Sequence, residues 1–242
     1  MAGRELPPTS PFAGDDGTAD PTLGAALASY GAGTGSVAEV VAALAGTRVL
    51  VPVLAELEVE DVVVHDGHEH TVDKEASAGI VALQAPDGRT ALPVFTSVAS
   101  LALWRTAARP VPSGVARAAL SAVQEGWEVM VVDPGGPVTV LVPRPAVWAL
   151  AQEQAWRPAV VDGQVDTDVR GAVAAALAPI PQVVATDAVP GSRAEVAVVV
   201  TLVAGLDRAG LDAVLARVNG ALAADETVAN RVDGLELRLR AA

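Results

Sequence analysis

The stretch GIVALQAPDGRTALPVFTSVASLALW, residues 79–104, decides the fold. Ile80, Val81, Ala82 and Leu83 crowd apolar residues between turn signals, the pattern of a largely buried strand. Pro86-Asp87-Gly88 follows. Proline presets φ, aspartate bonds its own backbone and glycine enters positive φ, so the chain reverses into a second arm over residues 91–95. Pro93 has no N–H for a ladder, which places its amide at an edge or a bulge. Thr96 or Ser97 then stands where a hydroxyl caps the first free N–H groups of a helix, and Val98, Leu101 and Ala102 continue at helical spacing. A strand-strand-helix unit is expected.

Upstream, residues 1–22 hold several prolines with Asp15, Asp16 and Asp20 and lack the basic start and apolar core of a signal peptide. They read as a disordered tail. Residues 23–30 fit a short helix, and Gly31-Ala32-Gly33-Thr34-Gly35 reads as a flexible hinge. No strand precedes those glycines, so they do not make a dinucleotide loop. Ser36 and Glu39 form a capping box for a second helix, Gly46 closes it, and residues 48–54 read as a buried strand.

Downstream, Pro110 and Pro112 hold their neighbours extended. Ser113 is expected to cap a helix carrying Val115, Ala119, Leu120 and Val123, and Gly126 to end it. A hairpin over residues 127–142 turns at Pro134-Gly135-Gly136, and Pro145 suits the first turn of another helix. Trp156-Arg157-Pro158 breaks this pattern and marks a domain boundary. Beyond it come a helix over residues 168–177, strands over 182–186 and 195–203, and a helix capped by Asp207. That helix carries Leu211, Val214, Leu215, Val218 and Leu222 on one face. Leu235, Leu237 and Leu239 alternate with Glu236, Arg238 and Arg240, a strand with its polar residues on a solvated outer face. The expected class is α+β: a mixed-sheet N-terminal domain over 23–154, then a smaller ferredoxin-like domain over 157–242, completed by a first strand at 159–161.

The string Gly88-Arg89-Thr90-Ala91-Leu92-Pro93-Val94-Phe95-Thr96-Ser97 resembles the signature of the SseB family (enhanced serine sensitivity protein) in its actinobacterial form. Similarity continues through Trp104, Ala108-Arg109-Pro110-Val111-Pro112, Asp133-Pro134-Gly135-Gly136-Pro137 and Arg144-Pro145-Ala146-Val147-Trp148-Ala149-Leu150. It covers roughly residues 37–153 well and 157–240 more loosely, as a second SseB-like domain. The resemblance implies a fold and its boundaries; it brings no catalytic residue, cofactor or substrate.

Composition excludes several chemistries. The 242 residues are 51% hydrophobic, enough for a sizeable core, and carry a net charge of −13. That charge argues against a nucleic-acid binder, which needs clustered Lys and Arg. Without cysteine there is no disulfide, zinc-thiolate site or thiol nucleophile. The longest apolar run, residues 196–206, is shorter than the roughly twenty residues a bilayer span takes. A cytoplasmic protein with no membrane contact is expected. No Gly-x-Ser-x-Gly elbow occurs, and Lys74 lacks the glycines of a phosphate loop.

Two function classes remain. The first is a non-catalytic interaction or small-ligand-binding module that takes a protein partner or a small anionic ligand, with no cofactor. Its candidate residues are Phe95, Thr96, Ser97, Arg109, Arg144 and Trp148. A helix start with free N–H groups beside an arginine suits a carboxylate or phosphate. Each residue also has a structural reading: Phe95 and Trp148 as core, Thr96 or Ser97 as a cap, and Arg109 and Arg144 paired with acids such as Asp133. The second class is a metal-binding protein or metal-dependent enzyme using His65, His68 and His70, which sit in a loop with Asp61, Asp66, Glu69, Asp73 and Glu75. No second ligand cluster follows, and a solvated loop accounts for the same residues.

Overall fold

The computed structural model describes residues 12–54, 81–85 and 87–242. The three histidines, Ile80 and Pro86 fall outside them. The chain divides into two compact α+β units, Met1–Ala155 and Trp156–Ala242.

In the first unit, α1 (Pro21–Gly31) begins where Asp20 Oδ1 accepts from the amides of Thr22 and Leu23 at 2.8 and 3.1 Å. Residues 12–20, expected within a disordered tail, are bonded in place. Asp15 accepts from the Gly17 amide at 2.9 Å, and Arg48 donates to Asp15 and to the Thr18 carbonyl. The glycine run before α2 (Val37–Leu44) is no loose hinge either. The amides of Thr34 and Gly35 both reach the Ser29 carbonyl at 3.0 Å. A β-carbon at Gly35 would stand 2.9 Å from that of Ser29, so glycine is there for close approach. Ser36 and Glu39 form the expected capping box on α2.

The strand β1 (Arg48–Val53) pairs antiparallel with β4 (Arg109–Gly114), from Arg48 opposite Gly114 to Val53 opposite Arg109. The four-stranded mixed sheet runs β2-β3-β5-β6: β2 (Leu83–Gln84), β3 (Thr90–Val94), β5 (Val129–Val132) and β6 (Val140–Val142). The first arm of the hairpin is shorter than expected, pairing only Leu83 and Gln84 with Ala91 and Thr90. The turn between them closes with the Gly88 amide on the Ala85 carbonyl at 2.8 Å.

Pro93 explains itself in this sheet. Thr90 and Val94 direct their carbonyls toward β5, to the amides of Glu128 and Asp133. By alternation Ala91, Pro93 and Phe95 address the other side. There β2 has already ended, and β1 arrives only at Phe95, through an isolated bridge whose two bonds with Leu50 measure 2.8 and 2.9 Å. The missing N–H falls in the gap.

Three helices complete the unit: α3 (Val98–Trp104), α4 (Val115–Gln124) and α5 (Arg144–Ala151). The N-cap of α4 is Gly114 with no side-chain bond; Ser113, expected to cap it, lies in β4. The helix α4 buries Val115, Ala118, Ala119 and Ala122, and α5 buries Pro145, Ala146, Val147 and Leu150.

The second unit opens with a small hairpin of β7 (Val160–Val161) and β8 (Gln164–Val165). The helix α6 (Thr167–Leu177), capped by Asp166, then leads to β9 (Val183–Pro190), antiparallel to β10 (Val196–Leu202). After α7 (Arg208–Ala224) and α8 (Glu226–Arg231), β11 (Leu235–Ala241) joins β10 in parallel. Val214, Val218 and Leu222 of α7 enter a core with Val169, Val173, Val198 and Val200. The sheet order is β11-β10-β9. A ferredoxin-like order would insert a fourth strand beside β11. Residues 160–161 pair only with β8, so the α+β class stands while that completion does not form.

Candidate functional site

The six candidate residues take up different positions. Phe95 is fully buried among Leu50, Leu54, Val81, Leu101 and Ala108, with Trp104 packed alongside. Its ring centroid lies 5.3 Å from that of Trp104 at an interplanar angle of 35°. Arg105 stacks its guanidinium 5.2 Å from the Trp104 ring centre.

Thr96 is also buried. Its amide donates to Asp133 Oδ1 at 2.8 Å and its hydroxyl to Oδ2 at 2.7 Å, across 37 residues of sequence. Asp133 takes a left-handed backbone (φ 47°), from which its carboxylate turns inward. Burial pushes the Asp133 carboxyl above the ordinary 3.8, while the bonds from Thr96 and Ser100 pull the other way. The expected pairing of Asp133 with Arg109 or Arg144 is therefore replaced by a lock between the DPGGP turn and the start of α3. Ser97 is the N-cap, its hydroxyl accepting from the Ser100 amide at 3.0 Å.

That helix start is filled from within the chain. The Val98 amide donates to the Gly17 carbonyl at 2.9 Å, and the arginine beside it is Arg48, whose Nη1 donates to the Thr96 carbonyl at 2.8 Å. An anion there would compete with bonds already made. Arg48 was missed because nothing local distinguishes it: it opens a strand, and its three acceptors come from residues 15, 18 and 96.

Arg109 stands exposed at the open end of the β1 and β4 pair, opposite Val53. Arg144 and Trp148 lie one turn apart on α5. Trp148, expected as core, keeps 46% of its surface exposed. The structure thus brings Phe95, Thr96 and Ser97 together with Asp133, Trp104 and Arg48, and leaves Arg109 and Trp148 on the surface.

The second unit holds a buried carboxylate that alternation assigns to solvent. Glu236 accepts from the amides of Ser192 and Arg193 at 3.2 and 3.1 Å and from Arg238 Nε at 3.0 Å. It is 7% exposed, whereas Leu239 in the same strand is 44% exposed. Gly191 permits the covering turn, since a β-carbon there would fall 2.0 Å from the Ala194 carbonyl. The Ser192 amide and the Arg238 guanidinium hold the Glu236 carboxyl at about 2, against an ordinary 4.5. Stability from this group is thus fully present above about pH 4.5 and lost as pH falls toward about 2. Glu236→Gln is expected to lower the thermal midpoint at neutral pH and flatten its decline between those values. A variant midpoint that falls with acid as steeply as the wild type would count against this assignment.

A family model described as the SseB protein N-terminal domain matches residues 23–149, just over half of the chain. The chain belongs to the SseB family. The match takes in the Thr96 and Asp133 lock, the Phe95 and Trp104 pair, and most of α5, Trp148 included. No curated protein and no solved structure matches the chain. Among the described residues, no group of three or more His, Asp or Glu could hold a metal ion, and His65, His68 and His70 lie outside those residues. Among the described residues, no helix is long and apolar enough to cross a membrane.

Proposed function

We propose that this SseB-family protein is a non-catalytic interaction module, working in the cytoplasm, that docks a protein partner through exposed residues of its first unit, Trp148 and Arg109 among them. The exposure of Trp148 carries the reading. The rest of α5 buries Pro145, Ala146, Val147 and Leu150, yet the largest side chain of the helix faces outward at 46% exposure. Tryptophan and arginine are enriched among the few residues that dominate interface energies, because each joins a large apolar or planar surface to a hydrogen-bond donor. Supporting this, the first unit also leaves Val98, Leu103 and Leu120 substantially exposed. The groups most able to do chemistry, Thr96 and Asp133, are bonded to each other. The cytoplasmic placement rests on a composition without cysteine, which forgoes disulfides.

The test is affinity capture from native cell extract with wild type beside Trp148→Ala and Arg109→Ala. Both positions are on the surface, so the stability cost should stay within about 1 kcal/mol. A partner held by wild type should bind Trp148→Ala at least about thirtyfold more weakly, the scale of an interface anchor. Identical material on all three proteins would overturn the proposal.

A further inference from the structure

Beside β1 and β4 lies a cleft of about 310 Å³ that involves none of the six candidate residues. Its strand wall is built by register. Val51 faces Val111, and Val53 and Ser113 share the face, because partners across an antiparallel pair project to the same side. Leu92 and Phe12 also line it, and α4 supplies Arg117, Ala118 and Ser121. Among the described residues, the lining is apolar apart from two hydroxyls and one guanidinium, with no carboxylate among the side chains. In a protein of net charge −13, an arginine in such a lining is a local reversal of sign.

We propose that this cleft binds a small apolar carboxylate, with its head on Arg117 and Ser121 and its body against Val51, Val53, Val111 and Phe12. The chemistry selects that class. One guanidinium matches one carboxylate through two parallel N–H bonds, whereas a phosphate ester of higher charge calls for further cations. Aliphatic walls favour a hydrocarbon body. The volume is on the scale of a small ligand of roughly ten non-hydrogen atoms. An eight-carbon fatty acid has that size. This inference goes beyond the proposed partner surface, and each experiment can fail while the other succeeds.

The test is isothermal titration calorimetry of the full chain with sodium octanoate, beside octylamine, octanol and inorganic phosphate. Octanoate should bind saturably at one site, with octylamine and phosphate at least about tenfold weaker, the scale of one charge-assisted pair. Arg117→Gln should weaken octanoate about tenfold and leave octanol unchanged. Ser121→Leu should fill the cleft and remove octanoate binding. If that variant does not fold, Arg117→Gln decides alone. The proposal is overturned if octanoate gives no saturable heat up to about 10 mM. It is equally overturned if octylamine binds as well as octanoate, or if Arg117→Gln binds octanoate like wild type.

Discussion

Phe95→Ala should cost about 3 to 5 kcal/mol, the range for truncating a buried aromatic, because the ring is fully enclosed and its cavity has little means of closing. Its neighbours are held from several sides. Leu50 is fixed by the two bridge bonds to Phe95 itself, Leu101 lies within α3, and Trp104 contacts both the Phe95 ring and the Arg105 guanidinium. Loss of the ring contact with Trp104 adds about 0.5 to 1.5 kcal/mol beyond burial. Phe95→Leu should cost clearly less, since most of the volume remains. Urea denaturation followed by circular dichroism measures both. An alanine variant within about 1 kcal/mol of wild type would show that the ring does not anchor the junction of β1, β3 and α3. This is also why Phe95→Ala makes a poor probe of binding: a lost partner would report a damaged core, whereas Trp148→Ala leaves the core intact.

How much of this was legible in the sequence depends on how far each interaction reaches. The turn after Ala85, the Ser97 cap, the Ser36 and Glu39 box and the proline in the first turn of α5 are decided within four residues, so residue type and spacing expose them. Pro93 was legible as a constraint, though not as the gap between β2 and β1 that satisfies it. Asp133 was visible in its motif, but its partner lies 37 residues away, and no local pattern distinguishes a carboxylate aimed at Thr96 from one aimed at an arginine.

Glu236 misled for a different reason. Period-two alternation separates apolar from polar faces but says nothing of a turn folding over the polar one, and the Ser192 and Arg193 amides do that here. The first strand of the C-terminal unit failed similarly. Residues 160–161 have strand composition, yet the chain reverses at once and pairs them with β8. Propensity proposes a strand; only the tertiary pairing decides which sheet receives it.

The second large effect is expected at Asp133, where one side chain closes the gap between the DPGGP turn and α3. Asp133→Ala leaves the Thr96 amide buried without its acceptor and its hydroxyl with only a 3.5 Å contact to Ser100 Oγ, at about 1 to 3 kcal/mol for each group. It also places alanine at φ 47°, which costs about 1 kcal/mol more. Removing a buried charge offsets part of this, so a net loss of about 2 to 4 kcal/mol is expected. Asp133→Asn keeps one acceptor and tolerates the left-handed backbone, and should lose about half as much.

The pH dependence separates the carboxylate's charge from its shape. Because burial raises the folded-state carboxyl above 3.8, the folded protein holds this proton more tightly than the unfolded chain. Wild-type stability from this group therefore falls as pH rises from 3.8 through the raised value, while Asp133→Asn has nothing to titrate there. The deficit of Asp133→Asn should be widest near pH 3.8 and narrow toward neutrality, measured as thermal midpoints across that window. A constant deficit would mean that the lock holds equally well charged or neutral. A deficit that widens toward neutrality would mean that the two Thr96 bonds outweigh the cost of burying the charge, reversing the order assigned to those two effects.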